Sequence, residues 1–172
     1  MPRNIEIKAR IESIDELMPR AAAIADQGPA EIAQDDTFFA CHSGRLKLRA
    51  FAGGDGELIY YRRPDQSGPK ESFYLIAKTA DANALRDVLT QAYGQVGRVQ
   101  KRRVLYLVGP TRIHLDSVTG LGSFLELEVV LEEHASPEAG VRTANEIMAR
   151  LGVEPTQLIE GAYLDLLAAR HP

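Results

Sequence analysis

One cysteine, Cys41, is all that this 172-residue chain carries. A lone thiol excludes an intrachain disulfide and fits a reducing compartment. No apolar run approaches the ~20 residues that a membrane helix needs. The opening Met1-Pro2-Arg3-Asn4 leads straight into a strand-like segment, without the basic and apolar regions of a secretory leader. Together these absences predict a cytoplasmic protein with no membrane partner. An excess of positive charge is missing too. Lys and Arg number 20 against 24 Asp and Glu, a net charge of −4. That argues against general nucleic-acid binding, yet leaves room for a small, locally basic cavity. There is no internal repeat, low-complexity tract or dividing linker, so residues 1–172 are expected to form one domain.

Several chemical signatures are also lacking. His42, His114, His134 and His171 have no zinc-ligand spacing. Gly53-Gly54-Asp55-Gly56 is followed by neither Lys-Ser/Thr nor a helix, so it reads as a hairpin turn rather than a phosphate loop. Ser43 and Ser72 have no His and Asp pattern of a serine hydrolase around them.

What the chain has is alternation. Asn4-Ile5-Glu6-Ile7-Lys8, Arg45-Leu46-Lys47-Leu48-Arg49, Arg112-Ile113-His114-Leu115-Asp116 and Leu125-Glu126-Leu127-Glu128-Val129 each place charge on every second residue. A strand sends successive side chains to opposite faces, so each segment has one apolar and one charged face. Strands are expected at about 3–12, 30–40, 44–52, 56–63, 71–79, 97–109, 111–117 and 123–132. Helices are expected at about 14–26, from Asp81 to Gly94, from Ser136-Pro137 to Gly152, and at 156–170. Ser13 with Glu16 reads as a capping box, and Pro19 interrupts the first helical pattern.

Short joints favour antiparallel hairpins, and eight such strands can close. The predicted fold is α+β: an eight-stranded antiparallel β-barrel with helices packed on its outside. The helices carry apolar stripes that need a partner, and the outer face of the sheet supplies one. The charged faces then line the interior as a tunnel.

Within that tunnel, Arg45, Lys47 and Arg49 repel one another unless anions meet them. A bound phosphate chain is one such anion. Lys101 and Arg103 share a face, whereas Arg102 faces the other way. Arg63 precedes a loop, and Lys78 ends a strand where a solvated position is equally plain. Glu126 and Glu128 lie on one face and resist joint ionisation without a cation. Oxygen donors of this kind suit Mg²⁺ or Mn²⁺. His114 shares the face of Asp116, but an imidazole there is more often packed or solvated than functional.

These residues resemble a family. Asn4-Ile5-Glu6-Ile7-Lys8 is similar to the E-x-E-x-K signature of the CYTH superfamily, the triphosphate tunnel metalloenzymes, which include class IV adenylyl cyclases, thiamine triphosphatases and inorganic triphosphatases. Gln34-Asp35-Asp36-Thr37-Phe38-Phe39, Arg45–Arg49, Tyr61-Arg62-Arg63-Pro64-Asp65, Lys70-Glu71-Ser72-Phe73-Tyr74 and the run Leu115–Glu128 add to the likeness, which is nearest in style to the cyclase branch. It implies that Lys8, Lys47, Arg49, Arg63, Lys78, Lys101 and Arg103 bind the phosphates. Glu6, Asp116, Glu126 and Glu128 would hold Mg²⁺ or Mn²⁺, and Glu6 and Lys8 would be catalytic. The chain departs from the pattern at Asn4, where the family has Glu, and at Gly161-Ala162-Tyr163, where relatives often place Lys-Ser before Tyr. The expected substrate is a small triphosphate: tripolyphosphate, thiamine triphosphate or ATP. Phosphohydrolysis ranks first, cyclic AMP formation second, and a non-catalytic polyphosphate-binding module third. The resemblance leaves a homodimer open.

Overall fold

The computed structural model describes residues 2–170, so His171 lies outside the described residues. Its strands are β1 (Arg3–Ile11), β2 (Gln27–Phe39), β3 (Arg45–Ala50), β4 (Gly56–Arg62), β5 (Lys70–Thr79), β6 (Gln95–Val108), β7 (Thr111–Val118) and β8 (Gly122–Leu131). Every neighbouring pair is antiparallel, and the order β1-β5-β4-β3-β2-β6-β7-β8 closes into a barrel. Four helices accompany it: α1 (Ile14–Ile24), α2 (Ala82–Tyr93), α3 (Pro137–Leu151) and α4 (Tyr163–Arg170). The β3–β4 joint is the expected hairpin, with Gly54 at φ +92° supplying its left-handed residue. Ser13 caps α1 by accepting from the Asp15 backbone N–H at 3.1 Å, rather than through the expected box with Glu16. Pro19 is accommodated inside that helix.

The two faces of the sheet separate as the alternation requires. Ile5, Ile7, Ala9 and Ile11 of β1 point outward, as do Ile113 and Leu115 of β7 and Leu125, Leu127 and Val129 of β8. They form one core with Leu17 and Ala21 of α1 and Ala144, Ile147, Met148 and Leu151 of α3. On Gly140 of α3, a Cβ would stand 2.6 Å from Ile5 Cγ1, so the helix sits close against β1. On the other side α2 sets Leu89 against Phe39 and Leu48. Each buried Leu or Ile contributes roughly 1.5–3 kcal/mol. The apolar stabilisation of this barrel therefore lies largely outside it.

The C-terminal segment departs from expectation. The helix read at 156–170 divides into a 3-10 turn at Pro155–Gln157, an extended stretch, and α4. Leu158 bridges to Ala9, and the Ile159 N–H donates to the Lys8 carbonyl at 3.0 Å. Pairing with β1 thus competes successfully with helix formation, and Gly161 at φ +77° turns the chain back. The redirected α4 does not join the outer layer. Tyr163 packs with Phe38, Val99, Val118 and Phe124, with Leu164, Leu166 and Leu167 against the same cluster. Those partners face inward at one end of the barrel. The expected barrel with helices packed on it is what forms, with α4 set across one end of the barrel rather than along its side. Gly97 permits this, since a Cβ there would collide with the Leu164 side chain.

Opposite faces of β8 should respond differently to substitution. Leu127→Ala is expected to cost about 2–5 kcal/mol in urea unfolding. Glu128→Gln, one residue on, should leave the protein no less stable. The reverse order would mean that the faces have been exchanged.

Candidate functional site

The inward faces enclose a cavity of about 310 Å³, at the small end of ligand-sized cavities. Glu6 and Lys8 enter it from β1, Lys47 and Arg49 from β3, and Arg63 from just beyond β4. Lys101 and Arg103 come from β6, Glu126 and Glu128 from β8. Two expected residues are not brought to the lining. Lys78 stands opposite Glu57 near the end of β5, where it is exposed. Asp116 is wholly buried behind Arg103 and unavailable as it stands.

The cations meet the protein's own anions. Asp36 of β2 accepts from Lys47 Nζ at 2.9 Å and from Arg49 Nε and Nη2, each at 2.8 Å. Burial opposes its ionisation, but Arg49 and Lys47 hold the carboxyl well below the usual range. Asp116 receives Arg103 in a two-pronged pair at 2.7 Å and the Tyr163 hydroxyl at 2.8 Å. Arg103 also reaches Glu126 Oε1 at 3.2 Å, and Lys8 Nζ lies 3.3 Å from Glu126 Oε2. Against the pull of burial, Lys8 and Arg103 hold the Glu126 carboxyl well below its ordinary value. Arg63 pairs with Glu6. Tyr163 lies beneath two lysine nitrogens, Lys8 Nζ at 4.0 Å and Lys101 Nζ at 5.0 Å from its ring centre.

One side of the cavity is richest in acid. Glu6 stands directly opposite Glu128 across the β1–β8 pair, and His114 of β7 stands opposite Glu126. Like charges so placed repel unless a cation intervenes. Donor atoms of His114, Glu126 and Glu128 all lie within 4.8 Å of one another. Asn4, on the same face of β1, has a buried Oδ1 with no hydrogen-bond partner among the described residues. Converging carboxylates with a free amide oxygen fit a hard divalent cation.

Residues 2–163 match the CYTH domain. The chain belongs to the CYTH domain family. It is similar to adenylate cyclase CyaB of Aeromonas hydrophila, 26% identical over 170 residues that cover 94% of this chain and 87% of that protein. The PH1012 protein of Pyrococcus horikoshii OT3 shares the fold with a TM-score of 0.85 at 22% identity, covering 95% of this chain and 99% of that one. So does HpAC1 of Hippeastrum, a putative adenylyl cyclase described as having a dominant triphosphatase activity, with a TM-score of 0.70, 15% identity and coverage of 97% and 96%.

Sequence reasoning missed several residues of this CYTH site. Asp36 is hidden because Asp35 precedes it. One faces in and the other out to Arg98, and two adjacent acids carry no parity signal. Lys70 opens β5 one residue before the expected strand. It lies behind the lining rather than in it: it is buried, donates to the Gln66 carbonyl at 2.9 Å, and is pushed down to about 8 by burial, Arg63 and Lys8. His114 faces the cavity instead of packing elsewhere. Tyr163 arrives from a helix, where strand alternation says nothing.

Two outcomes follow from these pairings. Asp36→Asn leaves Lys47 and Arg49 without their carboxylate, a break that typically costs about 3–5 kcal/mol. Tripolyphosphate should raise the Tm of this variant more than that of the parent, because the added anion replaces the lost one. An equal shift would count against the cations facing the ligand. The second outcome concerns Lys101, which burial and then Arg103 push down to about 7. At pH 8 it is mostly neutral in the free protein, and a bound polyanion raises its pKa. Calorimetry in buffers of differing ionisation enthalpy should show the parent taking up more protons on binding tripolyphosphate than Lys101→Met, with binding weakening as pH rises through 7.

Proposed function

We propose that this protein is a divalent-metal-dependent enzyme that hydrolyses a small inorganic or organic triphosphate. The observation that supports the reading best is the shared interior surface, where Lys8, Lys47, Arg49, Arg63, Lys101 and Arg103 surround the carboxylates of Glu6, Glu126 and Glu128. A polyphosphate entering this cavity meets cations already held in place by Asp36 and Asp116, so little reorganisation accompanies its binding. Arg49 and Arg103 offer planar forks suited to phosphate oxygens, and the lysines act as point charges. Glu6, Glu126 and Glu128 are the residues that would hold the ion, which when bound neutralises phosphate oxygens and activates the attacking oxygen. Lys8, beside Glu126 and over Tyr163, is positioned by both for a role at the reacting phosphate. Asp116 and Lys78 are left out of these roles, the first as an anchor for Arg103 and the second as a residue of the rim.

The second reading is class IV adenylyl cyclase activity, favoured by the likeness to CyaB. Cyclisation needs the nucleoside held so that its 3′-hydroxyl lies in line with the α-phosphorus. The phosphate and metal contacts have named residues here, whereas the nucleoside contacts have none. The dominant triphosphatase activity described for the similar HpAC1 agrees with ranking hydrolysis first.

Incubation with tripolyphosphate, thiamine triphosphate and ATP, each with Mg²⁺ or Mn²⁺, tests the ranking. One of the triphosphates is expected to be hydrolysed with a higher kcat/KM than that for cyclic AMP formation. Chelation should abolish turnover, and Glu128→Gln should lose most of it while staying folded. Lys47→Ala and Arg49→Ala should raise KM, each removing a charge-assisted bond worth roughly 1.5–3 kcal/mol. A kcat/KM for cyclic AMP above every hydrolysis would reverse the order, and full turnover without metal would end the reading.

A further inference from the structure

The ion pairs leave the position of His114, at the acidic side of the cavity, unexplained. The residue is 4% exposed, and Nδ1 is buried with no hydrogen-bond partner among the described residues. Leaving a buried polar atom unpaired costs about 1–3 kcal/mol. Nδ1 lies 3.6 Å from Glu126 Oε1 and 3.9 Å from Glu128 Oε1, too far for a hydrogen bond to either. Donors that share one ion at ~2.1 Å sit roughly 3.0–3.4 Å apart; the two contacts of Nδ1 are slightly longer than that, and the three donors, all within 4.8 Å of one another, would draw together around an ion. The strand register makes the grouping a built one. His114 and Glu126 are cross-strand partners, and Glu128 is the next inward residue of β8. Arg112, the neighbour of Glu128 across the sheet, approaches its other oxygen, Oε2, at 3.7 Å, leaving Oε1 toward the imidazole.

We infer that His114 is a metal ligand through Nδ1, forming with Glu126 and Glu128 a mixed nitrogen–oxygen site for a first-row transition ion in preference to Mg²⁺. The inference rests on the proposed metal dependence of this cavity and adds the donor that sets its selectivity. Carboxylates alone suit Mg²⁺, which keeps an oxygen shell of near-ideal geometry. An imidazole moves the preference toward Mn²⁺, Fe²⁺ or Co²⁺, because nitrogen binds these ions better than it binds Mg²⁺. It also gives the orphaned Nδ1 a partner that no residue in the cavity supplies.

Pulsed electron paramagnetic resonance of Mn²⁺ bound to the full-length protein tests this without requiring turnover. The expected spectrum carries ¹⁴N modulation, which changes to the ¹⁵N pattern when histidine alone is isotopically labelled. That measurement needs no variant, so it stands even where a substitution unfolds the chain. In His114→Gln the modulation should vanish. Mn²⁺ affinity should fall by at least the ~10–100-fold that follows loss of an outer-shell partner, with Mg²⁺ affinity changing less. Mn²⁺ bound without nitrogen modulation overturns the inference, as does failure to bind Mn²⁺. Modulation that persists in His114→Gln also overturns it, because His42, His134 or His171 would then be the source. The two readings fail separately. A Mn²⁺-dependent triphosphatase without modulation keeps the function and sinks the ligand. His114-dependent modulation in a protein that turns over no triphosphate does the opposite.

Discussion

An ion can stay inside a protein only where opposite charge meets it, and that constraint organises this barrel. Moving a charged group from water to an interior costs several kcal/mol even after relaxation. Here the cost is offset pair by pair. Asp36 takes Lys47 and Arg49, Asp116 takes Arg103, Glu126 takes Lys8, and Glu6 takes Arg63. Removing any one carboxylate strands a cation among others of its own sign. The interior is therefore a lattice in which each charge holds its neighbours in place.

Such a lattice supplies little net stability, so the fold has to find it elsewhere. The outer face of β1, β7 and β8 buries its Ile, Leu and Val residues against α1 and α3. Coverage by α2 does the same on a smaller scale over β2 and β3. This inverts the usual small barrel, which fills its interior with apolar side chains. With the structural core moved outside, the interior is free to stay polar. α4 then closes one end with an apolar plug, and through Tyr163 it ties that plug to Asp116 and hence to Arg103. The C-terminal helix is in this way part of the charged interior rather than an added layer.

The pairing has a consequence for ligand binding. On the proposed reading, a polyphosphate would not enter a vacant cationic tube. It would compete with Asp36, Asp116 and Glu126 for the same donors, and gain from finding those donors already oriented. The lattice is saturated around Asp36 and Asp116 and looser near Glu128 and His114, where the contacts run from 3.6 to 3.9 Å. That looser side is where the proposed cation would sit.

Much of this was legible before any coordinates. Alternation alone put Glu6, Lys8, Lys47, Arg49, Lys101, Arg103, Glu126 and Glu128 on one face, since a strand has no other place for every second side chain. The apolar helix stripes decided that this face turned inward. What alternation could not provide was partnership across the barrel. Asp36 and Asp35 are neighbours in sequence and opposites in space, and only the β2–β3 register shows which of them meets Lys47 and Arg49. Asp116 sits on the expected face, but Arg103 opposite it in β6 occupies its carboxylate. Lys78 also has the right parity, yet β5 carries it past the end of the cavity. Gly161 and the pairing of Leu158 and Ile159 with β1 split the last helix and aimed Tyr163 into the tunnel. The sequence by itself determined the faces, because side-chain direction in a strand is a local property. Which charges meet was decided by the tertiary structure alone, because strand register and chain reversal bring together residues far apart in the chain.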